Sequence, residues 1–346
     1  LLNLESLKLA EMNVPMGTSW LLASCMEARG KQDLWIRQKP EVLRTLREQA
    51  IIQSSESSNR IEGVTVAPER LRPVVIGNVR PRDRSEEELA GYRQALDWIF
   101  SRKRAVPITP NVVRKLHSLA QSGAWDAGDW KKRDNEIIEI LPSGERRVRF
   151  VPTSAGETAN AMDLLCWNYR QAYENETVPP LLIVATFVFD FLCIHPFRDG
   201  NGRVARLLTT LLLQSNGFQV ARYISLERLV EGTRDEYYRV LGECSRGWAE
   251  GKNDVLPWWN YLLSLIRAAY KDLEMQVEYS AARPAKSDLV ERTVLAQVED
   301  FTLADLSAQL PTASRPLIKK VLAGLKKAGK VRLAGRGRGA RWMVNE

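Results

Sequence analysis

"HPFRDGNGRVAR", His195 to Arg206, places an imidazole, a carboxylate, an asparagine between two glycines and three guanidinium groups within twelve residues. It follows an almost wholly apolar run, "PPLLIVATFVFDFLCI" (179–194). That run carries Asp190 and breaks at Pro196, short of the roughly 18 uninterrupted apolar residues of a membrane span, so it reads as a buried helix. Such a helix would hold His195 at the rim of a core. Gly200, Asn201 and Gly202 can then turn so that backbone N–H groups converge, and "RVARLLTTLLLQ" opens a second helix whose N-terminus adds a positive dipole end. Together these make an anion nest suited to phosphate. Arg203 and Arg206, three apart on the first turn, offer charge-assisted contacts to further phosphate oxygens. Asp199 supplies an oxygen ligand for Mg²⁺, which prefers one or two carboxylates together with phosphate oxygens. His195, with an unperturbed pKa of roughly 6.5, suits a general base near neutrality. The set fits attack by a hydroxyl on a nucleotide phosphate.

Composition limits the alternatives. The 346 residues are 45% hydrophobic and 27% charged, which describes an ordinary globular chain long enough for more than one domain. Cys25, Cys166, Cys193 and Cys244 are far apart and form no metal or disulfide pattern, consistent with a reducing, cytoplasmic setting. The opening residues, "LLNLESLKLAEMN", carry no basic stretch before an apolar core, so no secretory signal is read there, and no membrane association is expected. The net charge of +8 is local: residues 311–346 hold ten lysines and arginines against Glu346 alone, leaving the preceding chain near neutral. A separate small basic domain with its own partner is expected there.

The periodicity predicts a mainly α protein. Residues 1 to about 62 read as helical, and "KPEVLRTLREQAIIQSSESSNRIEG" closes at Gly63, suited to the left-handed position after a helix. "SEEELAGYRQALDWIF" and "TPNVVRKLHSLAQ" follow, the second with Thr109 as N-cap before Pro110. "NEIIEILPSGERRVRFVP" reads as a β-hairpin around Pro142, Ser143 and Gly144. Helices resume near Ala155, and Pro284 marks a linker. His117 is expected to be structural and Arg198 solvated.

The loop resembles the signature of the Fic family, His-x-Phe-x-Asp/Glu-Gly-Asn-Gly-Arg-x-x-Arg, at every specified position. The resemblance implies an all-helical core with the motif on a loop between two helices, and transfer of AMP from ATP to a Tyr, Thr or Ser hydroxyl of a target protein. It implies catalytic roles for His195 and Asn201, Phe197 as a buried anchor, and Asp199 as the Mg²⁺ ligand. Gly200, Asn201 and Gly202 would form the anion hole, with Arg203 and Arg206 on the triphosphate. Relatives that transfer phosphate carry lysine in place of the second glycine, so Gly202 favours adenylyl transfer. "SSNRIEG" matches the family's inhibitory helix pattern at Ser58, Glu62 and Gly63, with a bidentate Glu62–Arg206 ion pair expected. The hairpin stands where the family has a flap that aligns the target as an added strand. "TRDEYYRVLGECSRG" resembles the segment over the adenine, making Tyr237 and Tyr238 candidate nucleotide contacts.

The expected organisation is an N-terminal helical region carrying the inhibitory helix (1–105), a Fic catalytic core (106–275) and a C-terminal winged helix-turn-helix domain (276–346). In the last, "SRPLIKKVLAGLKKAG" would be the recognition helix and Arg336 and Arg338 would sit on the wing, giving salt-sensitive affinity for DNA. The reading is an autoinhibited protein adenylyltransferase using ATP and Mg²⁺, with the chain itself as one candidate acceptor. Two alternatives stand beside it: a DNA-binding transcriptional regulator whose Fic-like core senses nucleotide, and an enzyme that removes AMP, with Glu62 orienting water. A homodimer stays open.

Overall fold

The computed structural model describes residues 2–38, 40–77, 79–102, 104–140, 145–282, 286–297, 300–311, 313–335 and 340–345. The chain divides into two compact units, Leu1–Glu274 and Met275–Glu346. No described helix is long and apolar enough to cross a membrane.

The first unit is helical apart from one hairpin. It opens with α1 (Ser6–Ala10), α2 (Met16–Gln38), α3 (Pro40–Ile61), α4 (Pro68–Val75), α5 (Arg84–Phe100) and α6 (Pro110–Ala120). The antiparallel pair β1 (Ile137–Ile140) and β2 (Arg146–Phe150) follows, with a bulge between Ile137 and Ile138. Then come α7 (Thr158–Asn175), α8 (Pro180–Ile194), α9 (Asn201–Ser215), α10 (Leu226–Gly232), α11 (Arg234–Cys244) and α12 (Leu256–Ala282), whose last turns belong to the second unit. Local chemistry accounts for several starts: the Thr109 hydroxyl accepts from the Val112 N–H with Pro110 next to it, and Asp83 caps α5 by accepting from Glu86 N–H. The expected hairpin turn, Pro142 to Gly144, lies outside the described residues, as does Pro284.

α8 is apolar on every side because it is surrounded on every side, with α7 and α9 packed against it. α12 is pinned to it by two indoles: Trp258 Nε1 donates to the Ala185 carbonyl (2.7 Å) and Trp259 Nε1 to Thr186 Oγ1 (2.9 Å). Its one charged residue, Asp190, is wholly buried, which pushes its carboxyl pKa up. Three donors compensate: Asn3 Nδ2, the Leu4 N–H and Trp248 Nε1, each at 2.8 Å. The N-terminal segment is thereby tied to the central helix. The polar stretch of α3 is also buried: Ser54 and Tyr92 donate to the two oxygens of buried Glu227 at 2.6 and 2.7 Å.

The second unit has its own core. α13 (Lys286–Leu295), α14 (Leu303–Gln309), α15 (Arg315–Lys327) and the antiparallel pair β3 (Val331–Ala334) and β4 (Arg341–Val344) enclose Val290, Val294, Phe301, Leu306, Ile318 and Leu322. A capping box between Thr302 and Asp305 starts α14. Phe301 bridges Trp342 of β4 through paired backbone bonds. Arg336 and Arg338 lie outside the described residues.

Candidate active site

α8 stops at His195, whose φ of 51° and ψ of 59° put a non-glycine residue in the left-handed region. That conformation is costly for a β-carbon and persists only where the surroundings enforce it. It turns the chain sharply into the loop while the His195 N–H still bonds the Phe191 carbonyl. Gly200, at φ 77°, makes the second left-handed turn and delivers the chain into α9 with no side-chain cap. The first N–H groups of α9 are therefore available to an anion.

The loop is held from within and from α6. Asn201 Oδ1 accepts from the Phe197 N–H (2.9 Å) and its Nδ2 donates to the Phe197 carbonyl (2.8 Å), so the asparagine closes the loop on itself. His117 stacks flat on Phe197, ring centroids 3.7 Å apart. Its Nδ1 accepts from the Gly128 N–H (2.8 Å), which leaves Nε2 protonated and donating to the Asp199 carbonyl (3.1 Å). Lys131 donates through its N–H to the Pro196 carbonyl (2.8 Å) and through Nζ to that of Ile194 (3.3 Å). Burial holds the Lys131 ammonium down to about 8 and the His117 imidazole down to about 4. His117 is structural, as the sequence suggested, and what it supports is the loop before α9. Arg198 is exposed yet bound bidentately to Asp126, at 2.6 and 3.2 Å.

The His195 imidazole is held in one orientation. Its Nδ1 lies 3.3 Å from the Leu192 carbonyl, a contact that assigns the proton to Nδ1 and leaves Nε2 with its lone pair. Burial depresses its pKa to about 4, the carbonyl contact opposing, so the ring is neutral at pH 7.

A cavity of about 570 Å³ joins His195, Asp199, Gly202, Arg206, Tyr237 and Tyr238 with Glu62. Ile137, Ile138, Arg149 and Phe150 of the hairpin also line it. Of the sequence-expected nucleotide residues, Gly202, Arg206, Tyr237 and Tyr238 thus share one cavity with the hairpin. Gly200 and Asn201 are not on this wall, and neither is buried Arg203, although its Nη2 lies 3.7 Å from Asp199 Oδ2. Arg203 Nη1 donates to Glu88 Oε2 of α5 (2.5 Å) and Asn59 Oδ1 of α3 (3.3 Å), so it ties α9 to two earlier helices. Glu88 and Asn59 gave no sequence signal, being 115 and 144 residues from Arg203.

Glu62 lies against the anion cradle. A β-carbon on Gly202 would collide with Glu62 Oε1, so a side chain there would displace the carboxylate from its present place. The ion pair with Arg206 is monodentate, unlike the bidentate pair expected: Nη2 donates to Glu62 Oε1 (2.8 Å) and to the Ser58 carbonyl (2.9 Å), and Nε donates to Ser58 Oγ (2.9 Å). Ser58 sits fully buried beneath it, and Gly63 at φ 80° ends the helical segment. Burial, the largest single influence, works against the Arg206 charge, but Glu62, Tyr92 and Tyr237 together outweigh it and the guanidinium pKa rises. Arg206 Nη1 makes no hydrogen bond among the described residues and faces Gly202.

Asp199 is half exposed, with Oδ1 accepting from the Gly200 N–H (2.7 Å) and Oδ2 3.6 Å from Arg84. The described residues contain no cluster of three or more His, Cys, Asp or Glu side chains arranged to hold a metal. One carboxylate beside an anion cradle fits Mg²⁺ that arrives with phosphate oxygens as its other ligands.

Residues 107–213 match the Fic/DOC family. The chain is 24% identical over 209 residues to a protein adenylyltransferase Fic of Nematostella vectensis, covering 58% of this chain and 44% of that one. A protein of the same name from Drosophila yakuba is 24% identical over 288 residues, 80% of this chain and 53% of the relative. The chain therefore spans about half the length of these relatives. A crystal structure of a Fic family protein from Desulfovibrio desulfuricans superposes with a TM-score of 0.64 at 20% identity, covering 96% of this chain and 97% of that one. Residues 107–213 thus resemble the Fic/DOC family, and the fold is like that of a solved Fic family protein.

Proposed function

We propose that the protein is an autoinhibited protein adenylyltransferase that moves AMP from ATP to a side-chain hydroxyl of a protein. The observation that carries this is the Glu62 carboxylate seated on Gly202 and Arg206 in the cavity that also holds His195. His195 Nε2 takes the acceptor hydroxyl proton as the new O–P bond forms at the α-phosphorus, and the bond to the β-phosphate oxygen breaks to release pyrophosphate. The α9 N-terminus and Arg206 receive phosphate oxygens, and Tyr237 and Tyr238 wall the nucleotide side. Mg²⁺, held by Asp199, would supply positive charge to the phosphates. The flap offers its strand edge to a target segment, with the chain itself among the candidate acceptors.

Glu62 silences this arrangement by engaging Arg206 and by repelling the terminal phosphate. A displacement near 1 Å at the reacting centre costs on the order of a hundredfold in rate. Intact-mass analysis with Mg²⁺ and each nucleoside triphosphate tests the reading. Glu62→Gly should gain one AMP per acceptor much faster than wild type, and adding Arg206→Ala should remove the gain. If Glu62→Gly is no more active than wild type across acceptors, autoinhibition fails; if it instead loses the ability to remove AMP, the hydrolytic alternative replaces it.

A second reading rests on α15. Lys319 and Lys326, and Lys320 and Lys327, lie seven apart in two exposed rows that flank the small residue Ala323. Two cationic rows either side of a small residue suit phosphates on both sides of a DNA groove. Retention of the full chain on duplex DNA, lost with rising salt and with Lys319→Ala plus Lys320→Ala, tests this binding independently of transfer.

A further inference from the structure

Beside the catalytic cavity lies a second groove of about 450 Å³, and arginines dominate it. Arg147 and Arg149 come from β2, Arg239 from α11 and Arg246 from just beyond it, against Asp235 and Glu243. Glu243 is already engaged, accepting from Arg239 Nη1 at 3.1 Å. Arg147, cross-strand from Glu139, and Arg246 are both exposed. The groove therefore presents a net positive surface.

It is continuous with the active site. Arg149, Tyr238 and Gly242 line both cavities. Arg149 crosses the bare backbone of α11 at Gly242, where a β-carbon would come within 2.5 Å of Nη2, and its guanidinium stands 5.9 Å from the Tyr238 ring centre. A side chain at residue 242 would push Arg149 out of the passage between the two spaces.

We propose that this groove is a specificity subsite that takes an acidic, extended segment of the protein acceptor, carrying Asp or Glu at alternate positions beside the hydroxyl to be modified. The inference rests on the adenylyltransferase reading for the word acceptor and on the groove alone for the charge. Arg147 and Arg149 are two apart on a strand, so they share a face at a spacing of roughly 6.6 Å, the spacing of alternate residues in an extended partner. β1 and β2 form a two-stranded sheet, so β2 keeps an unpaired edge among the described residues. Val148 and Ile138, opposite one another in register and 46% and 41% exposed, add apolar contact that a peptide uses and a sugar–phosphate chain does not.

The test needs no nucleotide. Fluorescein-labelled twelve-residue peptides are compared, each with one central threonine and either Asp or Asn at alternate positions. Fluorescence anisotropy with the full chain at low salt should show the Asp peptide binding about five- to tenfold more tightly, a preference that shrinks in 0.5 M NaCl. Arg147→Glu with Arg246→Glu should abolish that preference and turn it toward a Lys-substituted peptide, while binding a fluorescent ATP analogue as wild type does. Equal binding of Asp and Asn peptides, or a preference untouched by the double variant, overturns the proposal. So does a single-stranded oligonucleotide of equal charge that binds more tightly through the same two arginines. If the Asp peptide binds as expected yet never gains AMP in the Glu62→Gly background, the subsite stands and the transfer reading falls.

Discussion

The anion cradle at the start of α9 and the lysine face of α15 are both cationic, yet they are built on opposite principles. At the start of α9, Arg203 and Arg206 are almost fully buried and partly matched inside the chain, by Glu88 and by Glu62 with Ser58, while Arg203 Nε and Arg206 Nη1 make no hydrogen bond among the described residues. On α15, Lys319, Lys320, Lys326 and Lys327 are exposed and make no ion pair among the described residues. Buried charge must be paired to exist at all, so its availability to a ligand is decided by which partner wins. Exposed charge is always available, and salt decides how much it is worth. Under the proposed function the first would act as a switch and the second as an electrostatic attractant.

The comparison breaks most sharply at His195. Replacing it with Ala in the Glu62→Gly background should lower AMP transfer by about two to four orders of magnitude, read by intact mass, while ATP binding persists because the cradle is untouched. Arg203→Ala comes next. It leaves buried Glu88 with only the exposed Arg84 as a cation, and a broken buried pair costs about 3–5 kcal/mol, so urea unfolding of the first unit should shift by up to that order. Glu88→Gln should cost less, because a neutral amide still accepts from the guanidinium; equal costs would show that burial of charge is not the issue.

Acid should separate the two regions further. His195 and His117 have folded pKa values near 4, below the roughly 6.5 of an unfolded histidine, so between those values the unfolded chain binds more protons. Their contribution to stability is present above about pH 6.5, falls as pH drops toward 4, and changes no further below that. Asp190 works in the opposite direction, since burial raises its pKa. Chemical unfolding at pH 7, 5.5 and 4.5 should show the loss, and His117→Gln should flatten part of it. A slope unchanged by that substitution would mean that His117 is not held neutral.

On the lysine face the effects are smaller. Each of Lys319→Ala and Lys320→Ala should reduce the salt slope of DNA binding by about one. Neither should move stability by more than about 0.5 kcal/mol. A larger loss of stability would mean that these lysines are structural.

Much of the site was legible because its grammar is local. The apolar run before His195, the glycines at the turn and the arginines on the next helix are set by spacing along the chain. Gly63 and Thr109 were legible for the same reason, since caps are local backbone chemistry. The polar stretch around Ser54 and Ser58 was less so. Its hydroxyls look like a wet helix face, and they are buried because Glu227 and Arg206 meet them there.

By itself, then, the sequence determined a mainly helical chain, the loop and its two bounding helices, a hairpin and a basic C-terminal region, because periodicity, turn residues and charge runs act over a few residues. Only the tertiary structure decided that Arg203 pairs with Glu88 rather than facing the cavity, and that Glu62 meets Arg206 through one oxygen. It also decided that the His117 tautomer supports Asp199, and that arginines from β2 and α11 share one groove. Those pairs are brought together by packing across tens to hundreds of residues, and no spacing rule along a chain encodes which buried charge will find which partner.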